Sequence, residues 1–378
     1  MIKAGKQLGF WVITCGNRPH DLGHAHADAY IHADFSDRNA ILEVAKREAV
    51  SAICPACNDF AALSASWVAQ QLGLPGHDPL EVAEIIHHKD RFRAYSLQHG
   101  FRVPKAAGVD GMNMEQLEAG LNQTGLPALL KPVDLTGGKG ISKISQREDL
   151  ERAAQKALAL SKAGRLVLEE FIEGSRHGYS AFIQRGKVVF GFFDQEYYHL
   201  NPYLVAGAFC PVDLPESVCA SLKASVERYA AMLNLCDGIF HVQYILKEGI
   251  PILIECCRRP PGDLYVELVR HATGIHYAEY LVRAYAGLDC PAITDIQPES
   301  GWIRHCIMPS RQGKVSSVNI STSLQSKVAD SMMWWKQGER INDLMTHKCG
   351  ILFLRFDDRN EMEKVLPNIH ESIKVEIQ

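Results

Sequence analysis

Lys131 closes an apolar run over residues 126–132, and the glycine-rich basic turn Thr136-Gly137-Gly138-Lys139-Gly140 follows almost at once. A fixed cation at the end of a buried strand can meet phosphate oxygens, and Gly137, Gly138 and Gly140 let backbone N–H groups approach those oxygens closely. The chemistry on offer is a clamp for nucleotide phosphates. It is not a Walker loop: Gly140, rather than Ser or Thr, follows the Gly-Lys pair, and residues 141–144 read as the return strand of a hairpin. Taken alone, such a turn is also what an ordinary hairpin loop looks like.

Other reactive residues carry less. Cys54-Pro55-Ala56-Cys57 has redox-motif spacing, but it sits at the end of a nucleotide-fold-like strand without thioredoxin-like surroundings. A zinc site needs a second ligand pair. No later Cys-x-x-Cys exists, and the adjacent Cys256 and Cys257 leave a strand on opposite faces. His24 and His26 could share a face with Asp28 in an extended chain, although a solvated loop explains them more simply. Trp334-Trp335 reads as an amphipathic packing pair.

The elements that must position these residues suggest several units. A chain of 378 residues with 47% hydrophobic content can bury a large core in two or three units. A net charge of −4 with scattered basic residues gives no nucleic-acid footprint. No apolar run reaches membrane-spanning length and no signal-peptide core opens the chain, so the expectation is a cytoplasmic protein without membrane partners. Eleven cysteines, an odd count, fit reduced thiols.

Strands over 10–14, 29–33 and 52–54 alternate with helices over 39–48 and 59–72, the pattern of a parallel α/β unit. The first helix, over 2–8, resembles one that normally follows an opening strand, so this unit is expected to lack that strand. A helical stretch over 79–100 carries His87-His88-Lys89-Asp90. A helix over 147–163 precedes a strand over 166–168, and a hairpin over 179–192 turns at Arg185-Gly186. A helix over 216–233 leads to strands over 240–246 and 250–254. From residue 301 the chain reads as a small α+β cap with a terminal helix near 361–368.

In this order the parts resemble the ATP-grasp superfamily, in its carboxylate–amine ligase, biotin-carboxylase-like and carbamoyl-phosphate-synthase-like branch. The parts are Lys89 after a helix, Lys131 before the glycine loop, Glu169-Glu170-Phe171-Ile172, and Glu255-Cys256-Cys257-Arg258-Arg259. The fold implied is mixed α/β and α+β: an apparently truncated N-terminal α/β unit over 1–88, an ATP-grasp core over 89–288 with a lid over about 105–168, and a C-terminal α+β domain over 289–378. The resemblance makes Lys89 and Lys131 contacts to ATP phosphates and the glycine loop a closing lid. Glu169, Glu170, Phe171 and Ile172 become the adenine hinge, with the Glu170 and Ile172 backbone on the adenine edge and Phe171 in the core. Arg176 stands where many members carry a ribose-binding glutamate, and His177 is implied as the ribose contact. Arg259 is implied to steady an acyl phosphate, with Lys139 as the second catalytic candidate.

The family's metal positions fall on Gln243, Glu255 and Cys257, so one carboxylate remains. An amide oxygen can still ligate Mg²⁺, or Mn²⁺, whereas a thiol suits a hard cation poorly. The polar, aromatic stretch over 194–203 reads equally as a surface loop with aromatic anchors or as a pocket-lining loop, and the second reading makes Glu196, Tyr197 and Asn201 candidates for acceptor recognition. The activity implied is ATP-dependent joining of a small carboxylate to an amine, with release of ADP and phosphate, and the assembly expected is a homodimer. Two alternatives stay open: a carboxylase-like enzyme making carboxyphosphate, and an ATP-binding protein without turnover.

Overall fold

The computed structural model describes residues 1–294, 296 and 298–378. Its largest element is an antiparallel eight-stranded sheet. In sheet order the strands are Ile250–Cys257, Gly238–Lys247, Ser175–Gln184, Lys187–Tyr198, Val205–Cys210, Gly301–Ile307, Gly350–Phe356 and Val328–Met333. Alternation along these strands divides the sheet into two buried faces. One carries Tyr179, Ala181, Val242 and Tyr244 and packs on the helix Glu216–Leu233 through Val218, Leu222, Val226 and Tyr229. Those helix positions recur every three or four residues, the stripe that an 18-residue amphipathic helix buries. The other face carries Phe182 and Phe192 and packs on the helices Tyr265–Thr273 and Tyr277–Tyr285. Part of this second face is left polar, and the candidate site lies there.

A separate four-stranded antiparallel sheet runs Ala106–Asp110, Arg165–Glu170, Ala128–Pro132 and Ser142–Ile144. Leu130, Leu166 and Leu168 on one side pack against helices Met114–Thr124 and Leu150–Leu158. The opposite side holds Val133 and Val167 with Lys131 and Glu169. Near the N-terminus, Ile13–Gly16 and Ala29–His32 pair in parallel, flanked by helices Arg38–Arg47 and Asp59–Leu72.

Several elements differ from the sequence reading. Residues 52–54 form no strand, because the Ile53 carbonyl pairs with His77 Nε2 at 2.8 Å instead of a strand neighbour. The helical stretch over 79–100 breaks at His88 (φ −98°, ψ 120°) into Leu80–His87 and Lys89–Gln98, so Lys89 opens a helix. The helix expected over 147–163 is a 3₁₀ turn followed by Leu150–Leu158. Its expected continuation wraps a carboxylate: Ser161 Oγ donates to Asp134 Oδ1 at 2.7 Å, and the Lys162 and Ala163 amides donate to Oδ2. Residues 194–198, read as loop, extend a strand because they pair with Val205–Cys210. Beyond residue 300 the chain adds three strands to the main sheet, and its helix forms at Arg359–Val365.

Candidate active site

Two buried lysines converge from different units. Lys131, near the end of the strand Ala128–Pro132, holds Glu169 Oε2 at 2.5 Å, and Arg93 Nε meets Glu169 Oε1 at 3.0 Å. Burial, Arg93 and Lys89 pull the Lys131 pKa below the usual lysine range against the pull of Glu169. Burial also opposes the Glu169 charge, but Arg93 and Lys131 outweigh it and hold that carboxyl below its ordinary range. Lys89 donates to the Leu135 carbonyl at 2.8 Å and meets Glu255 Oε1 at 3.1 Å. It therefore ties the strand-to-glycine-loop connection to the main sheet. For Lys89 burial is overcome by Glu255 and Asp59, and its pKa rises.

Strand register brings the implied metal residues together. Gln243 lies directly opposite Glu255 across the antiparallel ladder, so both side chains share one face. Gln243 Nε2 donates to Glu196 Oε1 at 2.7 Å, and Tyr198 OH donates to Glu196 Oε2 at 2.6 Å. The amide oxygen of Gln243 thus remains available beside the Glu255 carboxylate, a donor pair that fits one hard divalent ion completed by phosphate oxygens and water. Cys257, two residues beyond Glu255, is buried and directs its thiol to the Arg259 carbonyl at 3.4 Å. Among the described residues no group of three or more His, Cys, Asp or Glu forms a metal cage.

Arg259 follows this strand. Its Nε donates to Asp59 Oδ1 at 2.7 Å, and His87 Nδ1 meets the same oxygen at 2.9 Å. Asp59 is the first residue of a helix whose N-cap, Asn58, accepts from the Phe60 amide at 2.9 Å. The N-terminal unit therefore sets where the Arg259 guanidinium points. Burial opposes the charge of each partner, but Asp59 is held well below the carboxylate range by Arg259 and His87. The Arg259 pKa is raised, with nearby Cys257 and Asp59 overcoming burial. Nothing in local spacing signals Asp59, which lies 200 residues from Arg259. Arg93 was missed for the same reason.

The glycine loop packs against residue 203. Gly137, Gly138 and Gly140 have φ of 68°, 72° and 72°, and a Cβ on Gly138 would lie 2.8 Å from the Tyr203 carbonyl group. Lys139 is exposed in this turn. Gly138→Ala is expected to lift the loop off residue 203, since a left-handed alanine adds about 1–2 kcal/mol to the collision. Nucleotide titration should show roughly tenfold weaker ATP binding with a melting temperature within a few degrees of the parent. Unchanged affinity would mean the loop does not close over nucleotide.

Other sequence candidates are placed differently. Glu170 N donates to the Lys105 carbonyl at 2.9 Å, and Ile172 is buried. Phe171 is half-buried beneath the Lys143 ammonium, 3.7 Å from its ring centroid, rather than in the core. His177 pairs with Tyr244 in the ladder, one residue beyond Gln243, and so faces the Glu216–Leu233 side. There it stacks on Tyr244 at 5.1 Å and bonds Ser175 Oγ at 2.7 Å, while burial pushes its pKa down to about 4. Tyr197 points away from Glu196 and bonds His305 Nδ1 at 2.9 Å. Asn201 is engaged by Met345 O and the Tyr203 amide. Cys54 and Cys57 are free, exposed thiols.

The ATP-grasp domain family matches residues 124–266. The D-alanine–D-alanine ligase of Bordetella pertussis is 30% identical over 234 residues, 58% of this chain and 72% of that one. The chain belongs to the ATP-grasp family. A second D-alanine–D-alanine ligase, from Bordetella avium, is 28% identical and is covered over 63% of its length. The formate-dependent phosphoribosylglycinamide formyltransferase of Prochlorococcus marinus is 24% identical over 305 residues, 79% of this chain and 76% of that one. Among solved structures, the L-amino acid ligase of Bacillus licheniformis superposes with a TM-score of 0.83 at 18% identity, covering 100% of this chain and 95% of that one. The ATP-grasp fold thus extends across the whole chain. No helix among the described residues is long and apolar enough to cross a membrane.

In this ATP-grasp chain Gln243→Glu places a third carboxylate beside Glu196 and Glu255. Without metal the variant should be about 1 kcal/mol less stable from like-charge repulsion, and with Mg²⁺ and ATP it should bind the ion more tightly. Melting with and without Mg²⁺·ATP checks both signs. An equal metal response in parent and variant would mean that Gln243 does not face the ion.

Proposed function

We propose that this chain is an ADP-forming carboxylate–amine ligase, and that the observation carrying this reading is the convergence of Lys89 and Lys131 on the Gln243–Glu255 face beside Arg259. A carboxylate oxygen attacks the γ-phosphorus of ATP, the bond to the β,γ-bridging oxygen breaks, and ADP leaves with that electron pair. Lys131 and Lys89 hold the phosphates, exchanging contacts to Glu169 and Glu255 for contacts to phosphate oxygens. Arg259, oriented by Asp59, steadies the acyl phosphate, and Lys139 approaches the transferred group as the glycine loop closes. A closed lid keeps water from the mixed anhydride. The amine then attacks the acyl carbon, the C–O bond to phosphate breaks, and the amine proton goes to solvent or a nearby base.

Glu255 and Gln243 would hold Mg²⁺, with Mn²⁺ as a substitute, which would supply neutralisation of phosphate charge. The hinge over 169–172 takes the adenine. His177 is a ribose contact only if the nucleotide reaches its face of the sheet. The division into units at 1–88, 89–288 and 289–378, a homodimeric assembly and a cytoplasmic setting belong to the same proposal.

The test is release of ADP and phosphate from Mg²⁺·ATP across amino acids and small carboxylates, alone and in pairs with amines. Release that needs both a carboxylate and an amine supports the ligase. Release with bicarbonate alone overturns it in favour of carboxyphosphate formation, and tight ATP binding with no release under any condition overturns it in favour of a non-catalytic binder.

A further inference from the structure

One turn beyond Lys89, the helix Lys89–Gln98 carries Arg93 on the same face, since residues four apart are neighbours on a helix surface. Lys89 reaches Glu255 Oε1 in the edge strand of the main sheet, and Arg93 Nη2 donates to the carbonyl of Ile254, the residue just before it. The same guanidinium meets Glu169 Oε1 in the strand Arg165–Glu170 through Nε at 3.0 Å. Arg93 therefore joins the strand that carries Glu169 to the strand that carries Glu255. Both Arg93 and Glu169 are 1% exposed, so neither can exchange its partner for water.

The contact between them is close but unfinished. Arg93 Nε, Arg93 Nη1 and Glu169 Oε1 are each buried without a hydrogen-bond partner among the described residues, so the two charges attract at short range while the donors stay misaligned. Lys131 takes the other carboxylate oxygen, Oε2, at 2.5 Å. The rest of the Glu169 surroundings supply little: its ladder partners are Ala106 and Leu129, and Val133 and Val167 share its side of the sheet. Lys89, Arg93 and Lys131 share only Glu169 and Glu255 between them in these contacts, which leaves this cluster one positive charge in excess before an anion arrives. Burial opposes the Glu169 charge, and of the two cations that overcome it Arg93 acts more strongly than Lys131. Departure of Lys131 with no replacement would leave a buried carboxylate half-paired, a loss that folded proteins tolerate badly.

Resting on the phosphate-clamp role of Lys131 in the ligase reading above, we propose that Arg93 is a positioning residue that takes over Glu169 when Lys131 turns to phosphate. The carboxylate swings toward the donors that Arg93 holds unused, stays ionised and keeps its place in the strand, and the ammonium is freed. Arg93 Nη2 remains on the Ile254 carbonyl, so the arginine is anchored to the main sheet while its partner moves. The phosphate charge then compensates the cation that was in excess. Lys131 can therefore bind nucleotide without abandoning a buried charge, and Arg93 acts on the phosphates only through Glu169 and Lys131.

Calorimetric titration of ATP into the full chain tests the hand-off, comparing the parent with Lys131→Ala, Arg93→Gln, Glu169→Gln and the double variant Arg93→Gln/Glu169→Gln, each shown by melting to be folded. Arg93→Gln leaves Glu169 dependent on Lys131 alone, so ATP should bind roughly tenfold more weakly than to the parent. Removing the carboxylate as well should bring affinity back to that of Glu169→Gln, because nothing then holds the lysine away from phosphate. A purely structural arginine would lower the melting temperature without moving affinity, or weaken ATP equally with and without Glu169, and either result overturns the hand-off. Should Arg93→Gln fail to fold, Arg93→Lys keeps the cation and carries the same comparison, with a smaller loss of affinity that Glu169→Gln again abolishes. Unchanged affinity in Lys131→Ala overturns the clamp and the hand-off together. A loss in Lys131→Ala with none in the Arg93 variants sinks the hand-off alone and leaves the ligase reading standing.

Discussion

Asp59→Ala is expected to destabilise the protein by about 3–5 kcal/mol, because it strips the carboxylate from between two buried partners and leaves the Arg259 guanidinium uncompensated. The loss should be larger than for removing any exposed ion pair here, such as Arg152 with Asp149, where about 0–1 kcal/mol is usual. Activity should fall beyond what reduced folding explains. Arg259 would keep its contact to the Pro260 carbonyl at 3.2 Å and lose the one that fixes its direction. Urea melts at neutral pH measure the first effect, and turnover per folded molecule the second. The pair also leaves an acid signature. The folded pKa of Asp59 is depressed below its ordinary value of 3.8, so its stabilisation is complete above that value and is lost as pH falls through the folded one. Asp59→Asn should therefore show a shallower loss of stability below about pH 3.8 than the parent. A parent and variant with parallel acid limbs would mean that the carboxylate is not ionised against Arg259.

Local pattern carried much of this architecture. The helix Glu216–Leu233 was legible to the residue because its buried positions recur at helical spacing and Pro215 marks its start. The Lys131 strand and its return were legible because apolar alternation stops at glycines that must take positive φ. The strand over 52–54 failed because an apolar triplet cannot reveal that a histidine 24 residues away will take its carbonyl. The segment over 194–198 was misread as loop because its polar and aromatic run shows no apolar alternation, although its residues pair with Val205–Cys210 in a strand. The site divides the same way. Gln243 and Glu255 could be matched because a two-residue turn fixes the register between their strands. Asp59 and Arg93 could not, since each reaches its site partner from a distant element through tertiary packing alone. His177 shows the converse: a matching neighbour in sequence does not determine which face of a strand its side chain takes.

Lys131→Ala should weaken ATP binding by roughly 1.5–3 kcal/mol, or about ten- to 150-fold, the range for a charge-assisted contact in a partly water-excluded cleft. In the nucleotide-free protein Lys131 is not idle, since it holds Glu169 at 2.5 Å. Phosphate binding must therefore compete with that carboxylate. Alanine at 131 leaves Glu169 with Arg93 alone at 3.0 Å, so some folding stability is lost too, and affinity must be read on protein shown by melting to be folded. Glu169→Gln separates the two roles. If Lys131 is a phosphate clamp held in reserve by Glu169, neutralising Glu169 lowers stability but releases the ammonium, and ATP should bind more tightly than to the parent. If Lys131 serves only to neutralise a buried carboxylate, both variants lose stability and neither changes ATP affinity. Calorimetric titration of ATP into the parent, both single variants and the double variant decides this, with the gain from Glu169→Gln expected to vanish when Lys131 is absent. A gain that persists without Lys131 would place the phosphate elsewhere and reduce the glycine-rich hairpin to a surface turn.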